Sequence, residues 1–273
     1  MESILQVVKK ETSAKIAVLI FLLFTVFWIS LFLFEKDSVA HAIYGSTYGI
    51  LALWGGIVGL KISGRWGGHK SVLGKAILFF SFGLLAQFFG QVAYTIYIYF
   101  LKIELPYPSL GDVGYFGSIP IYIYAVLMLA KASGVRLSRQ PFQKKVLAMV
   151  TPVVILLISY LLLLSGYEFN WSAPLVIFLD FGYPFGQAIY ISLAILTYTL
   201  SKNILGGIMR TKILFILFAL FVQYLSDYSF LYLVKNELWF VGGINDYIYL
   251  VSYLLMSLGL IQLKTVFDDL RRK

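Results

Sequence analysis

Two acidic residues, Asp180 and Asp227, stand inside long apolar runs. An aspartate at the centre of a bilayer costs roughly 2.5 to 3.5 kcal/mol on insertion scales, so each needs a reason to be there. Other polar residues recur around them at helical spacing. Gln87 and Gln91 are four apart, as are Gln223 and Asp227, while Asp180, Tyr183 and Gln187 fall at i, i+3 and i+7. Each set therefore shares one helix face. Three stripes that face one another would line a polar pocket open to the outer side, rimmed by Tyr94, Tyr115, Tyr183, Tyr224 and Tyr249. The acids of such a pocket would bind a cation, an amine or a proton. The competing reading is that Gln and Tyr only join helices by interhelical hydrogen bonds. That reading suits the glutamines better than the aspartates, because an acid is the costlier glue.

Other chemistry is excluded by residue type. There is no cysteine, so thiolate catalysis, disulfides and cysteine-ligated metals are absent. His41 falls near the outer face and His69 in an inner loop, so a two-histidine metal site is not expected. Past Lys212 at its inner edge, the seventh apolar stretch has no lysine in its interior for a retinal Schiff base. Paired intramembrane acids invite comparison with aspartyl proteases, yet Tyr224-Leu-Ser-Asp227 lacks the glycines of the G-x-G-D signature. No G-x-x-x-x-G-K phosphate cradle occurs, and serine hydrolysis would lack a histidine base. The expectation is a nonenzymatic chain with no metal and no cofactor.

The elements that position these residues follow from composition. The 273 residues are 60% hydrophobic and 13% charged, against roughly 25% charged in soluble domains, and mean hydropathy is +0.86. Eight stretches are long enough to cross about 30 Å of hydrocarbon, at roughly 14–34, 41–60, 75–101, 112–131, 145–165, 173–200, 212–234 and 246–266. This predicts an all-α polytopic membrane protein with eight transmembrane helices, forming one integral domain over 1–273. The first stretch is too long for a signal-peptide core and reads as a retained span.

The net charge of +9 is explained by topology rather than by a nucleic-acid partner. One set of connections and termini carries Lys9, Lys10, Lys15, Lys61, Arg65, Lys70, Lys75, Lys131, Arg136, Arg139, Lys144, Lys145, Lys202, Arg210, Lys212, Lys264, Arg271, Arg272 and Lys273. The other carries only Lys36, Lys102 and Lys235, with Glu35, Asp37, Glu104, Asp112, Glu168, Glu237 and Asp246 in or beside it. The positive-inside rule then puts both termini in the cytoplasm of a cell-membrane protein whose partner is the lipid bilayer. At 1.5 Å per residue, Asp180 lies about 10 Å into span six and Asp227 about 22 Å from the start of span seven. Both thus fall in the outer third.

Two internal echoes appear. Lys75 to Gln91 (KAILFFSFGLLAQFFGQ) resembles Lys212 to Asp227 (KILFILFALFVQYLSD), pairing Gln87 with Gln223 and Gln91 with Asp227. The pattern D-x-x-Y recurs at Asp112–Tyr115, Asp180–Tyr183 and Asp246–Tyr249. Halves 1–140 and 141–273 would form a parallel four-plus-four repeat; chance similarity among aromatic-rich helices is the alternative. Asp112 and Asp246 also read as helix caps at the positive dipole end.

Pro108-Ser109-Leu110-Gly111-Asp112-Val-Gly-Tyr115, with Leu179-Asp180-Phe-Gly-Tyr183-Pro184 and Asp246 through Tyr253, resembles the multi-pass N-terminal sensory regions of bacterial and archaeal diguanylate cyclases and histidine kinases. The likeness spans most of 75–265. It implies a ligand-responsive membrane module that signals through helix movement. No output domain follows the last span, so a separate cytoplasmic signalling protein is the expected partner. A small-solute or ion transporter, and a structural or assembly subunit, are the alternatives.

Overall fold

The computed structural model describes residues 4–36, 38–103, 106–134, 141–201 and 207–271. Arg136, Arg139, Lys202, Arg272, Lys273, Asp37 and Glu104 from the charge reading lie outside the described residues.

The described chain is helical, with no β-strand. A short α1 (Ile4–Lys10) precedes α2 (Thr12–Ser30), α3 (Val39–Thr47), α4 (Ile50–Arg65), α5 (Val72–Thr95), α6 (Leu110–Ala132), α7 (Phe142–Ser159), α8 (Pro174–Ser201), α9 (Gly207–Lys235) and α10 (Ile244–Arg271). Eight spans emerge, because α3 and α4 run on as one crossing. One π turn extends α5 over Ile96–Phe100 and another extends α7 over Tyr160–Leu164. The eight expected stretches are recovered, but several helices overrun them. Lys61, Arg65 and Lys264, expected in connections, sit on the last turns of α4 and α10. Lys212, also expected in a connection, is buried near the start of α9.

Helix starts follow local chemistry. Ser71 caps α5 by accepting from the Gly74 N–H at 2.8 Å. Ser109 and Asp112 form a reciprocal capping box at the start of α6, so the Pro-Ser-Leu-Gly-Asp motif has a backbone task, satisfying otherwise orphaned N–H groups.

Six crossings close into a ring in the order α4, α5, α6, α8, α9, α10 and back to α4. The remaining two lie outside it, α2 against α10 and α4, and α7 against α8. Enclosure divides them accordingly: 72% of the apolar stretch of α10 is buried, against 11% for α2 and 6% for α7. The last two suit lipid contact, whereas α10 is the most enclosed crossing of the ring. Close approach between α5 and α6 depends on Gly114, where an added Cβ would stand 2.5 Å from the Ala86 carbonyl oxygen and the Gly90 nitrogen.

At the end where the chain terminates, Lys264 pairs with Glu11, Arg65 with Asp268 at 3.0 Å and Lys10 with Asp269 at 3.8 Å. These bonds hold α1 and α4 to the last turns of α10. We call this the basic end, and the opposite side the far end.

Candidate functional site

The most enclosed acid chemistry centres on Asp227, which is 6% exposed. Helical spacing lets Gln223 donate from Nε2 to Asp227 Oδ1 at 3.0 Å, one turn away on α9. Tyr249 on α10 donates to the same oxygen at 2.8 Å, and Tyr190 on α8 donates to Oδ2 at 2.9 Å. The amide is itself oriented, since Ser252 on α10 donates to Gln223 Oε1 at 2.5 Å. Three helices therefore meet on one carboxylate through neutral donors. Protonation of either oxygen would turn an acceptor into a donor and disturb at least one of these bonds, so the node ties the charge state of Asp227 to the packing of α8, α9 and α10.

A second node lies on α5. Gln87 donates from Nε2 to Ser118 Oγ on α6 at 2.9 Å, and the Ser118 hydroxyl turns back to the Tyr115 carbonyl at 2.7 Å. The Tyr253 hydroxyl approaches Gln87 Oε1 at 3.4 Å. Tyr253 also stacks on Tyr249, with ring centroids 6.1 Å apart, so α10 joins the Gln87 and Asp227 nodes into one buried polar seam. Gln91 works differently. It donates to the Gly45 carbonyl at 2.6 Å and presses its Oε1 where a Cβ on Gly49 would stand, 1.6 Å away. It thus wedges open the junction of α3 and α4.

Asp180 lies apart from this seam. Its oxygens accept from Tyr107 at 2.7 Å and Tyr167 at 2.7 Å, both in far-end connections. Burial and then the Asp180 hydrogen bond push the Tyr107 phenol above its ordinary value. For half-buried Tyr167 the hydrogen bond to Asp180 is the leading cause of the same upward shift, because a phenolate beside a carboxylate loses its bond and gains repulsion. Tyr183 bonds neither aspartate of the expected pocket; it donates to Asp112 Oδ1 at 2.7 Å.

The eight expected residues thus separate. Asp227, Gln223 and Gln87 meet through α10, while Gln91 holds the α3–α4 junction. Tyr94 packs edge-on against Trp239 at 6.3 Å. Asp180 and Tyr183 serve far-end contacts, and Gln187 is 3% exposed with its Oε1 unpartnered. Sequence reasoning overlooked Tyr190, Ser118, Ser252 and Tyr253. Tyr190 was recoverable, since it continues the Asp180, Tyr183, Gln187 stripe by three. Ser118 and Ser252 each stand six residues after a D-x-x-Y aspartate.

Among the described residues no three His, Asp or Glu side chains cluster as a metal site would require. Comparison with protein-family models, curated proteins and solved structures finds no match to this chain.

Proposed function

We propose that the chain is a nonenzymatic membrane module of the cell membrane that binds a solute presented from outside and answers by moving helices, with both termini cytoplasmic. The observation that carries this reading is the Asp227 node, where one costly buried acid holds α8, α9 and α10 through neutral donors only. The resemblance to sensory regions supports it, and a separate cytoplasmic signalling protein would read out the basic end.

The chain lacks cysteine, which permits direct tests. Spin labels at Tyr198→Cys and Leu270→Cys report the spacing of α8 and α10 at the basic end. Asp227→Asn is expected to shift that spacing; an unchanged distribution would count against the sensory reading. Orientation is checked by labelling cells with a membrane-impermeant maleimide. Glu237→Cys should react and Lys70→Cys should not, and the reverse pattern would invert the topology.

A transporter is the second reading, favoured by the helix order. Under a four-plus-four repeat, α4, α5 and α6 correspond to α8, α9 and α10, and the ring returns to itself when the halves are exchanged. The Gln87–Ser118 bond between α5 and α6 then matches the Gln223–Ser252 bond between α9 and α10, which supports repeat halves of 1–140 and 141–273. Solute entry into sealed liposomes, lost in Asp227→Asn, would favour transport.

A further inference from the structure

The two oxygens of Asp227 are not equivalent. Oδ1 accepts from Gln223 Nε2 and from Tyr249, which fills its two lone-pair sites. Oδ2 accepts from Tyr190 alone and keeps one site free. Tyr190, Gln223 and Ser252 are buried with the carboxylate, so the node is closed to anything that needs room. Along α9, Asp227 stands about 12 Å from the Lys235 end and about 30 Å from Gly207, which places it nearer the far end.

The side chains around the node are phenols. Tyr122 of α6 lies 6.1 Å from the Tyr190 ring, Tyr224 meets that ring edge-on at 6.3 Å, and Tyr228 packs on Tyr224 at 4.4 Å while donating to Ser159 of α7. The charged groups of the packed helices are engaged or distant. Asp180 of α8 accepts from Tyr107 and Tyr167, and Asp246 of α10 accepts from the Gly242 N–H at 2.7 Å. Lys264 of α10 pairs with Glu11, and Lys235 donates to the Leu162 carbonyl at 3.2 Å. Lys212 stands about 22 Å from Asp227 along α9, with Arg210, Asp268, Asp269 and Arg271 beside it at the basic end. A buried carboxylate held only by neutral donors is relieved by taking up a proton.

We infer that the solute read by this module is the proton, taken from the far side onto Asp227 Oδ2, and that α8 is the helix it releases. The inference rests on the ligand-responsive reading above and names its ligand and its moving helix. The proton enters the free site on Oδ2, so Gln223 and Tyr249 go on donating to Oδ1 and α10 stays tied to α9. The new O–H points its hydrogen at the Tyr190 oxygen, and the Tyr190 hydrogen must turn elsewhere. Gln187, three residues earlier on the same face of α8, carries a buried Oε1 with no partner. A metal ion would compete with donors already seated on Oδ1 and on Gln223 Oε1, and a larger ligand would need space that the packed rings occupy.

The test is a pH titration of the full chain in lipid nanodiscs, read by infrared difference spectra with isotope-labelled aspartate and by the Tyr198–Leu270 spin-label spacing. A label-sensitive carboxylic-acid carbonyl band should grow as pH falls, and the spacing should change with the same midpoint. Both responses should vanish in Asp227→Asn. Tyr190→Phe keeps the ring and removes a donor to the ionised form, so the midpoint should rise by about one pH unit, roughly a tenfold gain in proton affinity for one charge-assisted hydrogen bond. This variant carries the test even if Asp227→Asn fails to fold. Tyr249→Phe should move the midpoint less, because that phenol still donates to Oδ1 after protonation. Equal shifts in the two variants overturn the Oδ2 assignment. Absence of the band, or a spacing that follows sodium at constant pH, overturns the proton as ligand. A spacing change in Asp227→Asn would then leave the ligand-responsive reading standing, whereas an unchanged spacing there counts against both.

Discussion

Asp227 and Asp180 carry the same side chain in neighbouring helices and live by different rules. Asp227 is enclosed by α8, α9 and α10 and accepts from Tyr190, Tyr249 and Gln223. Asp180 is half-buried at the far end and accepts from two tyrosines of connecting segments. Removing the first leaves three interior donors with no water to turn to. Removing the second releases two phenols near the surface, where water replaces the carboxylate. Apolar sequence surroundings therefore say that an acid is costly, but the origin of its donors decides whether it organises a core or fastens a loop.

The largest contrast is expected from Asp227→Leu, which strands those donors and should cost about 3 kcal/mol, read as loss of thermal stability in nanodiscs. Asp227→Asn, keeping one acceptor oxygen, should cost less. If Asp180→Leu proved as damaging as Asp227→Leu, the distinction between core and loop acid would fail.

A comparison on α6 sharpens the same point with packing alone. Gly114→Ala would drive a methyl into the α5 backbone and should cost about 2 kcal/mol by overpacking. Gly117, three residues on, has nothing within 4 Å of an added Cβ. Gly117→Ala should be neutral or stabilising by up to about 1 kcal/mol through helix propensity. Equal effects at the two positions would show that α5 and α6 are not in backbone contact.

Asp180→Ala should cost about 1 kcal/mol, the net worth of ordinary hydrogen bonds, in the same melting assay. The smallest effect is spectroscopic. Tyr107 and Tyr167 are raised above the usual phenol value, so the folded chain keeps those protons more tightly than the unfolded one. Their contribution is intact below about pH 10, the ordinary phenol value, and fades as pH rises through the shifted values. In Asp180→Asn, phenolate absorbance should appear at lower pH than in the parent chain. An unchanged titration would remove Asp180 from the far-end contacts.

Much of this molecule was written in local pattern. Eight apolar stretches, the Ser109–Asp112 cap and the Gln223–Asp227 contact rest on hydropathy and on offsets of three or four residues, which do not depend on how helices are arranged. The Asp180, Tyr183, Gln187 stripe was equally legible, yet its members go to different partners: Asp180 to Tyr107 and Tyr167, and Tyr183 to Asp112. Helical spacing fixes which residues share a face and is silent on what that face meets. Pairings such as Tyr190 with Asp227, Gln87 with Ser118 and Gln91 with the Gly45 carbonyl join distant segments, and aromatic-rich spans offer many polar groups of similar reach. Only the packing of α8 on α9, of α6 on α5 and of α3 on α5 selected among them, because a hydrogen bond needs its two atoms within about 3 Å and no sequence periodicity sets that distance between helices.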